Sequence, residues 1–266
     1  MKIKFNIYLF VSVLLFLLLT GCGHSQSKEQ NSIDTKAESN KPETPADNNT
    51  DTNNSGNDKN ITVTPLSNAI LHTNITATLF WVGESESEDN HQITNAESAW
   101  DDNWQAHYGG IDTPVRTTLF PDFKPNENPF YFALPYSDFD DNGNRRKNAA
   151  NIIPWGKEKE WTDEESIVKN RWIKIIDQDK TVYAQWEDAG PFEYDDTNYV
   201  FGTATPKNSE NDHAGLDLSP AVWIYLGYDT QNMDNKTKMS WQFVPEEEVP
   251  NGPWREVVTY SQIRWE

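Results

Sequence analysis

Two aspartates stand where polar chemistry would be placed. Asp188 follows the stretch 181–187 and precedes Ala189-Gly190-Pro191-Phe192. Asp217 lies in Gly215-Leu216-Asp217-Leu218, just ahead of Ser219-Pro220. If the strands carrying them are neighbours, the two carboxyls converge at one end of a sheet. Polysaccharide cleavage needs an acid at the glycosidic oxygen and commonly a second carboxylate. One of the pair must keep its proton near neutral pH, and an apolar or anionic setting raises a carboxyl pKa in that direction. Trp186, Phe192 and Trp223 are placed to supply such a setting, and with Tyr194 they are the expected substrate contacts. Each acid also has a structural use. Asp217 sits where an acid favours a following helix N-terminus, and Asp188 where an acid steadies the turn before Gly190-Pro191.

Other polar residues carry less. His213 lies four positions before Asp217 and could reach the same site as an acid or base, but an Asn-Asp-His-Ala loop favours a solvated ring. The remaining histidines have no metal-ligand spacing. Asp138-Phe139-Asp140-Asp141-Asn142-Gly143 begins like a calcium loop, but Ala149 occupies the closing position, so a polar turn is expected. No metal and no cofactor is expected. Most of the 11 tryptophans should be core; Trp104, Tyr108, Trp155 and Trp161 lie near polar segments and are the aromatics expected at the surface.

Short runs rich in β-branched and aromatic residues predict strands over 74–83, 129–135, 171–176, 181–187, 199–203, 239–244 and 255–260. In the fourth, Val182, Ala184 and Trp186 share one face. Thr94-Asn95-Ala96-Glu97 is a possible capping box ahead of Trp100, Trp104, His107 and Tyr108, with Gly109 as the stop. Ser219 and Pro220 open a second helix, which Gly227 closes. The domain is therefore expected to be mainly β, a small barrel or sandwich with short helices.

The segment 183–227 adds a resemblance. Trp186-Glu187-Asp188-Ala189-Gly190-Pro191-Phe192, then Gly215-Leu216-Asp217-Leu218-Ser219-Pro220-Ala221-Val222 and Leu226-Gly227, resemble the core of the barrel shared by rare lipoprotein A (RlpA) and the expansins. Ala77–Gly83 resembles the opening strand of that group, and Ala133-Leu134-Pro135 the strand before its second half. The resemblance implies a six-stranded double-psi β-barrel with short helices and long loop insertions. It implies peptidoglycan as substrate, cleaved without water as by a lytic transglycosylase, with Asp217 as the main acid and Asp188 as its partner. Glu84 and Asp138 are the candidates for the group's upstream acidic function. The group has a histidine near the position of Ala133, where this chain reads Phe130-Tyr131-Phe132-Ala133-Leu134-Pro135.

The N-terminal region gives an address. Lys2 and Lys4 precede an apolar run that is short for a membrane span. The run ends in Leu19-Thr20-Gly21-Cys22, which resembles a bacterial lipobox. Residues 1–21 are thus expected to be a signal peptide, and Cys22, the only cysteine, to carry the lipid that anchors the chain to a membrane. The expected location is outside the cytoplasm, at the outer membrane where a cell has two. Residues 23–60 contain no Phe, Trp or Tyr and one branched aliphatic, Ile33. Such a composition cannot offset ordering entropy, so 22–60 reads as a tether and 61–266 as one domain.

That domain carries 16 basic and 35 acidic side chains. A net charge near −19 repels phosphate backbones, which argues against nucleic acid as a partner. Neutral glycans and cationic partners remain. The expectation is an envelope lipoprotein that acts on or binds cell-wall polysaccharide. The alternative is a non-catalytic module for a glycan or for another envelope protein.

Overall fold

The computed structural model describes residues 69–88, 90–231 and 236–262. The expected signal peptide, Cys22 and the tether lie outside the described residues. Six strands form the sheet: β1 (His72–Leu79), β2 (Tyr131–Leu134), β3 (Trp172–Asp177), β4 (Lys180–Ala189), β5 (Ala214–Leu218) and β6 (Lys236–Val244). They close into a barrel in the order β1-β5-β2-β4-β3-β6. Pairs β1–β5 and β2–β4 are parallel, and the other four pairs are antiparallel. The fold is mainly β, as the composition of the runs predicts. Among the described residues, no helix is long and apolar enough to cross a membrane.

The two-residue period of each strand sets what the barrel encloses. Ala77 and Leu79, Phe132 and Leu134, Ile173 and Ile175, Val182, Ala184 and Trp186, Leu216 and Leu218, and Trp241 and Phe243 form one buried cluster. Trp186 is at its centre, stacked on Phe132 and Phe243. A second, smaller cluster joins Tyr131 and Ala133 of β2 to Phe80, Val82, Trp104 and Tyr108. It seats helix α1 (Trp104–Tyr108) on the face of β2 opposite the barrel core.

Among the described residues three more α-helices follow, α2 (Ala149–Ile152), α3 (Thr197–Val200) and α4 (Pro220–Leu226), and α4 is built as its sequence predicts. The Ser219 hydroxyl accepts from the Val222 N–H, Pro220 occupies the first turn, and Gly227 turns the chain with a φ of 93°. Three other expectations are corrected. Segment 199–203 is not a strand: Asp196 caps a short helix, α3 (Thr197–Val200), by accepting from the Tyr199 N–H, and the cap outweighs β propensity. Segment 255–260 forms no ladder either. Thr259 is held by side chains, donating its N–H to Gln185 Oε1 at 2.8 Å and accepting from Gln185 Nε2 at 3.0 Å. The residues around Thr94 do not start a helix. The Thr94 hydroxyl accepts from the Ala96 N–H in a turn, and the helix begins only after Asp101, whose carboxylate takes the Asn103 N–H.

The aromatics expected at the surface are mostly inside. Trp104, Tyr108 and Trp155 are buried, and Trp161 is half-buried. For the two buried tryptophans the polar end finds the acceptor that a buried indole needs. Trp104 Nε1 donates to Glu127 and Trp155 Nε1 to the Ile167 carbonyl.

Candidate functional site

The register of β2 brings the two aspartates together. Ala133 is the Cα partner of Asp217 across β5 and of Asp188 across β4. Thr78 on β1 is the next partner of Asp217. Four adjacent strands thus give a row: Thr78, Asp217, Ala133, Asp188. With strands about 4.8 Å apart, the aspartate Cα atoms are about 10 Å from one another. The small side chain of Ala133 leaves the floor between them low.

Parity alone would not place Asp188 in this row. Trp186 pairs with Phe132, and the next pair is Ala133 with Asp188, so Glu187 is one extra residue in β4. Such a bulge sets two consecutive residues against one and re-aims the second. Glu187 turns to Lys169, 2.7 Å away in a buried pair. Asp188 turns to the site.

Both aspartates are held by one oxygen. Asp188 Oδ1 accepts from the N–H groups of Ala99 (2.8 Å) and Ala189 (2.7 Å). Asp217 Oδ1 accepts the Thr78 hydroxyl. Asp217 does not cap α4, because Ser219 has that role.

Glu84 joins them through the turn that follows β1. Gly83, at φ 78°, takes the left-handed conformation that glycine tolerates. A Cβ there would lie 2.9 Å from Ile111 Cγ1. The turn is fastened on both sides. Gly83 N–H donates to the Asn95 carbonyl and Asn95 N–H to the Glu84 carbonyl. Tyr131 Oη accepts the Val82 N–H at 3.0 Å and donates to Asp112 at 2.8 Å. Asn95 Nδ2 then donates to Glu84 Oε2 at 2.8 Å and fixes the carboxyl.

The three acids line one cavity of about 520 Å³ with Trp81, Phe192 and Tyr194. Burial raises all three carboxyls to about 7. Repulsion from Asp217 adds to the rise at Glu84 and Asp188, while hydrogen bonds from Asn95, Ala99, Ala189 and Thr78 oppose it. Groups coupled in this way titrate as a set. Near neutrality the set holds both a proton and a negative charge, which is what acid–base chemistry at one bond requires. Tyr194 feels the same field: burial and the two aspartates raise its hydroxyl to about 12.

Several sequence candidates lie elsewhere. Asp138 is fully buried away from the cavity and takes four donors: Trp100 Nε1 (3.3 Å), Ser166 Oγ (2.7 Å), the Ile167 N–H (2.7 Å) and Arg145 (2.8 Å). It ties the connection after β2 to the one before β3. The loop after it is a polar turn, with Asp140 Oδ1 accepting from the Asn142 and Asn144 N–H groups. Trp186 and Trp223 are buried, and only Phe192 and Tyr194 of the four expected contacts line the cavity. His213 is exposed outside it. Asn95, Thr78 and Ala133 were not expected. Their sequence neighbourhoods give no signal, because their roles arise from register and from a turn closed over eleven residues.

No protein-family model and no curated protein matches the chain.

Proposed function

We propose that this chain is a lipid-anchored envelope protein whose barrel is of the double-psi kind and cleaves cell-wall polysaccharide by acid–base chemistry. The observation that carries the reading is the row in which Asp217 and Asp188 flank Ala133 beside Glu84, in a cavity walled by aromatic side chains. Two parallel strand pairs within an otherwise antiparallel six-stranded barrel support the double-psi assignment.

In this reading Asp217 is the principal acid. It occupies the middle of the set and is coupled to both other carboxyls. A proton passes from it to the glycosidic oxygen as the bond to the anomeric carbon breaks. The sugar's own C6 hydroxyl closes on that carbon, and its proton returns to a carboxylate. No water is consumed, and the product ends in an anhydro sugar. Asp188 and Glu84 stabilise the positive charge that develops on the ring. Trp81, Phe192 and Tyr194 offer flat faces to the sugars.

The test is incubation of the purified protein and its Asp217→Asn variant with peptidoglycan and neutral polysaccharides, followed by mass spectrometry of released fragments. Anhydro-ended fragments from the wild type and none from the variant are expected. Binding without fragments, unchanged by the substitution, would replace the enzyme with a wall-binding module. The aromatic lining favours that module as the second reading, and Ala133 standing where the RlpA group carries a histidine nearby adds to it.

A further inference from the structure

One strand bears on the placement of all three acids. Tyr131 and Ala133 lie on the same face of β2, two residues or about 7 Å apart. Ala133 is the floor between Asp188 and Asp217. Tyr131 reaches the third acid through the backbone, because its hydroxyl accepts the Val82 N–H at 3.0 Å and Glu84 is two residues further on.

The other backbone group of Val82 is taken as well. Its carbonyl accepts the Asp112 N–H at 2.9 Å, while the Asp112 carboxylate accepts the Tyr131 hydroxyl at 2.8 Å and pairs with Arg116. Tyr131, Asp112 and Val82 thus form a closed circuit of hydrogen bonds, and all three are fully shut off from solvent. Arg116 steadies the charged member by also donating to the carbonyls of Thr113 (2.7 Å) and Thr118 (3.1 Å).

Two observations point beyond packing. A buried ion pair is a weak source of stability, since well-packed apolar residues of like volume often serve as well or better. Apolar side chains, however, could not bond the Val82 N–H. The bonds that Asn95 makes with Gly83 and Glu84 lie within one loop and would travel with it. The circuit instead ties the start of that loop to β2, the strand that carries the floor of the row.

We propose that Tyr131, held by Asp112, is a positioning residue that sets the height of Glu84 over the Asp188–Asp217 row without touching substrate. This rests on the reaction proposed above and adds to it a group that does not line the cavity.

Tyr131→Phe in the purified full chain tests it. The substitution removes the hydroxyl and keeps the aromatic ring, which packs edge to face with Phe80 and Trp104. Carbon-detected NMR of the side-chain carboxyls follows the titration, with Glu84→Gln identifying the Glu84 signal. In the wild type burial and Asp217 hold that carboxyl at about 7. In Tyr131→Phe it should move toward the ordinary glutamate value of about 4 as the turn lifts from the row. Ile175→Val, a deletion in the barrel core, controls for lost stability and should leave the Glu84 signal in place. With peptidoglycan as substrate, Tyr131→Phe should lower kcat about tenfold or more with KM little changed. A Glu84 titration unmoved by Tyr131→Phe, one moved as far by Ile175→Val, or an unchanged kcat overturns the proposal. A moved titration in a chain that cleaves no polysaccharide upholds the positioning and removes the reaction, so the two failures are told apart.

Discussion

Replacing Asp217 by Asn should stabilise the protein, and only above a defined pH. In the folded chain burial holds the Asp217 carboxyl at about 7. In the unfolded chain it returns to about 4. Between these values the folded state binds the extra proton, so stability falls as pH rises through that window. The gross penalty above pH 7 is about 4 kcal/mol at about 1.4 kcal/mol per tenfold change in proton affinity. Asp217 is half-buried at the cavity wall, so solvent and relaxation reduce the net figure to about 1–3 kcal/mol. Asparagine keeps an oxygen for the Thr78 hydroxyl and removes the charge that raises Glu84 and Asp188. Asp217→Asn should therefore match the wild type near pH 4.5 and exceed it by about 1–3 kcal/mol at pH 8, or about 3–10 °C in melting temperature. Urea titrations at the two pH values measure this directly. A variant destabilised equally at both would show that Asp217 is an ordinary structural acid and that the repulsive set does not exist.

Three further substitutions separate scaffold from site. Asp138→Ala strands an arginine, an indole, a hydroxyl and a backbone N–H together, and should destabilise by about 3–5 kcal/mol; an unchanged denaturation midpoint would refute its role as a hub. Trp186→Ala should cost about 3–5 kcal/mol in stability, whereas Tyr194→Ala should leave the midpoint nearly unchanged and weaken glycan binding. The reverse result would place the ligand against the barrel interior.

How far the sequence goes depends on the range over which each signal acts. The five strands β1, β2, β3, β4 and β6 are legible because alternation is local, and so is the shared face of Val182, Ala184 and Trp186; that this face is the interior, and Trp186 closed to substrate, only the closed barrel decides. Helix α4 is legible because its cap and stop are written in adjacent residues. Asp188 and Asp217 stand out because each ends its strand beside a turn or a helix start. Asp138 misleads because its donors, Trp100, Ser166 and Ile167, lie 28–38 positions away. Thr78 and Ala133 are silent, since only the order β1-β5-β2-β4 makes them neighbours of an acid. The segment around Thr259 looks like a strand because its composition suits one, but no other strand is free to receive it.

The extra residue in β4 has a consequence for how this barrel can change over time. Up to Trp186 the strand answers to the interior, where every second side chain must fit a filled volume. Beyond Glu187 the phase is reset, and the same strand answers to the cavity. Variation on one side of the slip need not be matched on the other. A lineage could therefore exchange the acid at position 188 for another group, and so acquire a different chemistry, while keeping the packing that makes it fold. Loss of the single residue at 187 would bring the two halves under one alternation again and strip Lys169 of its buried partner.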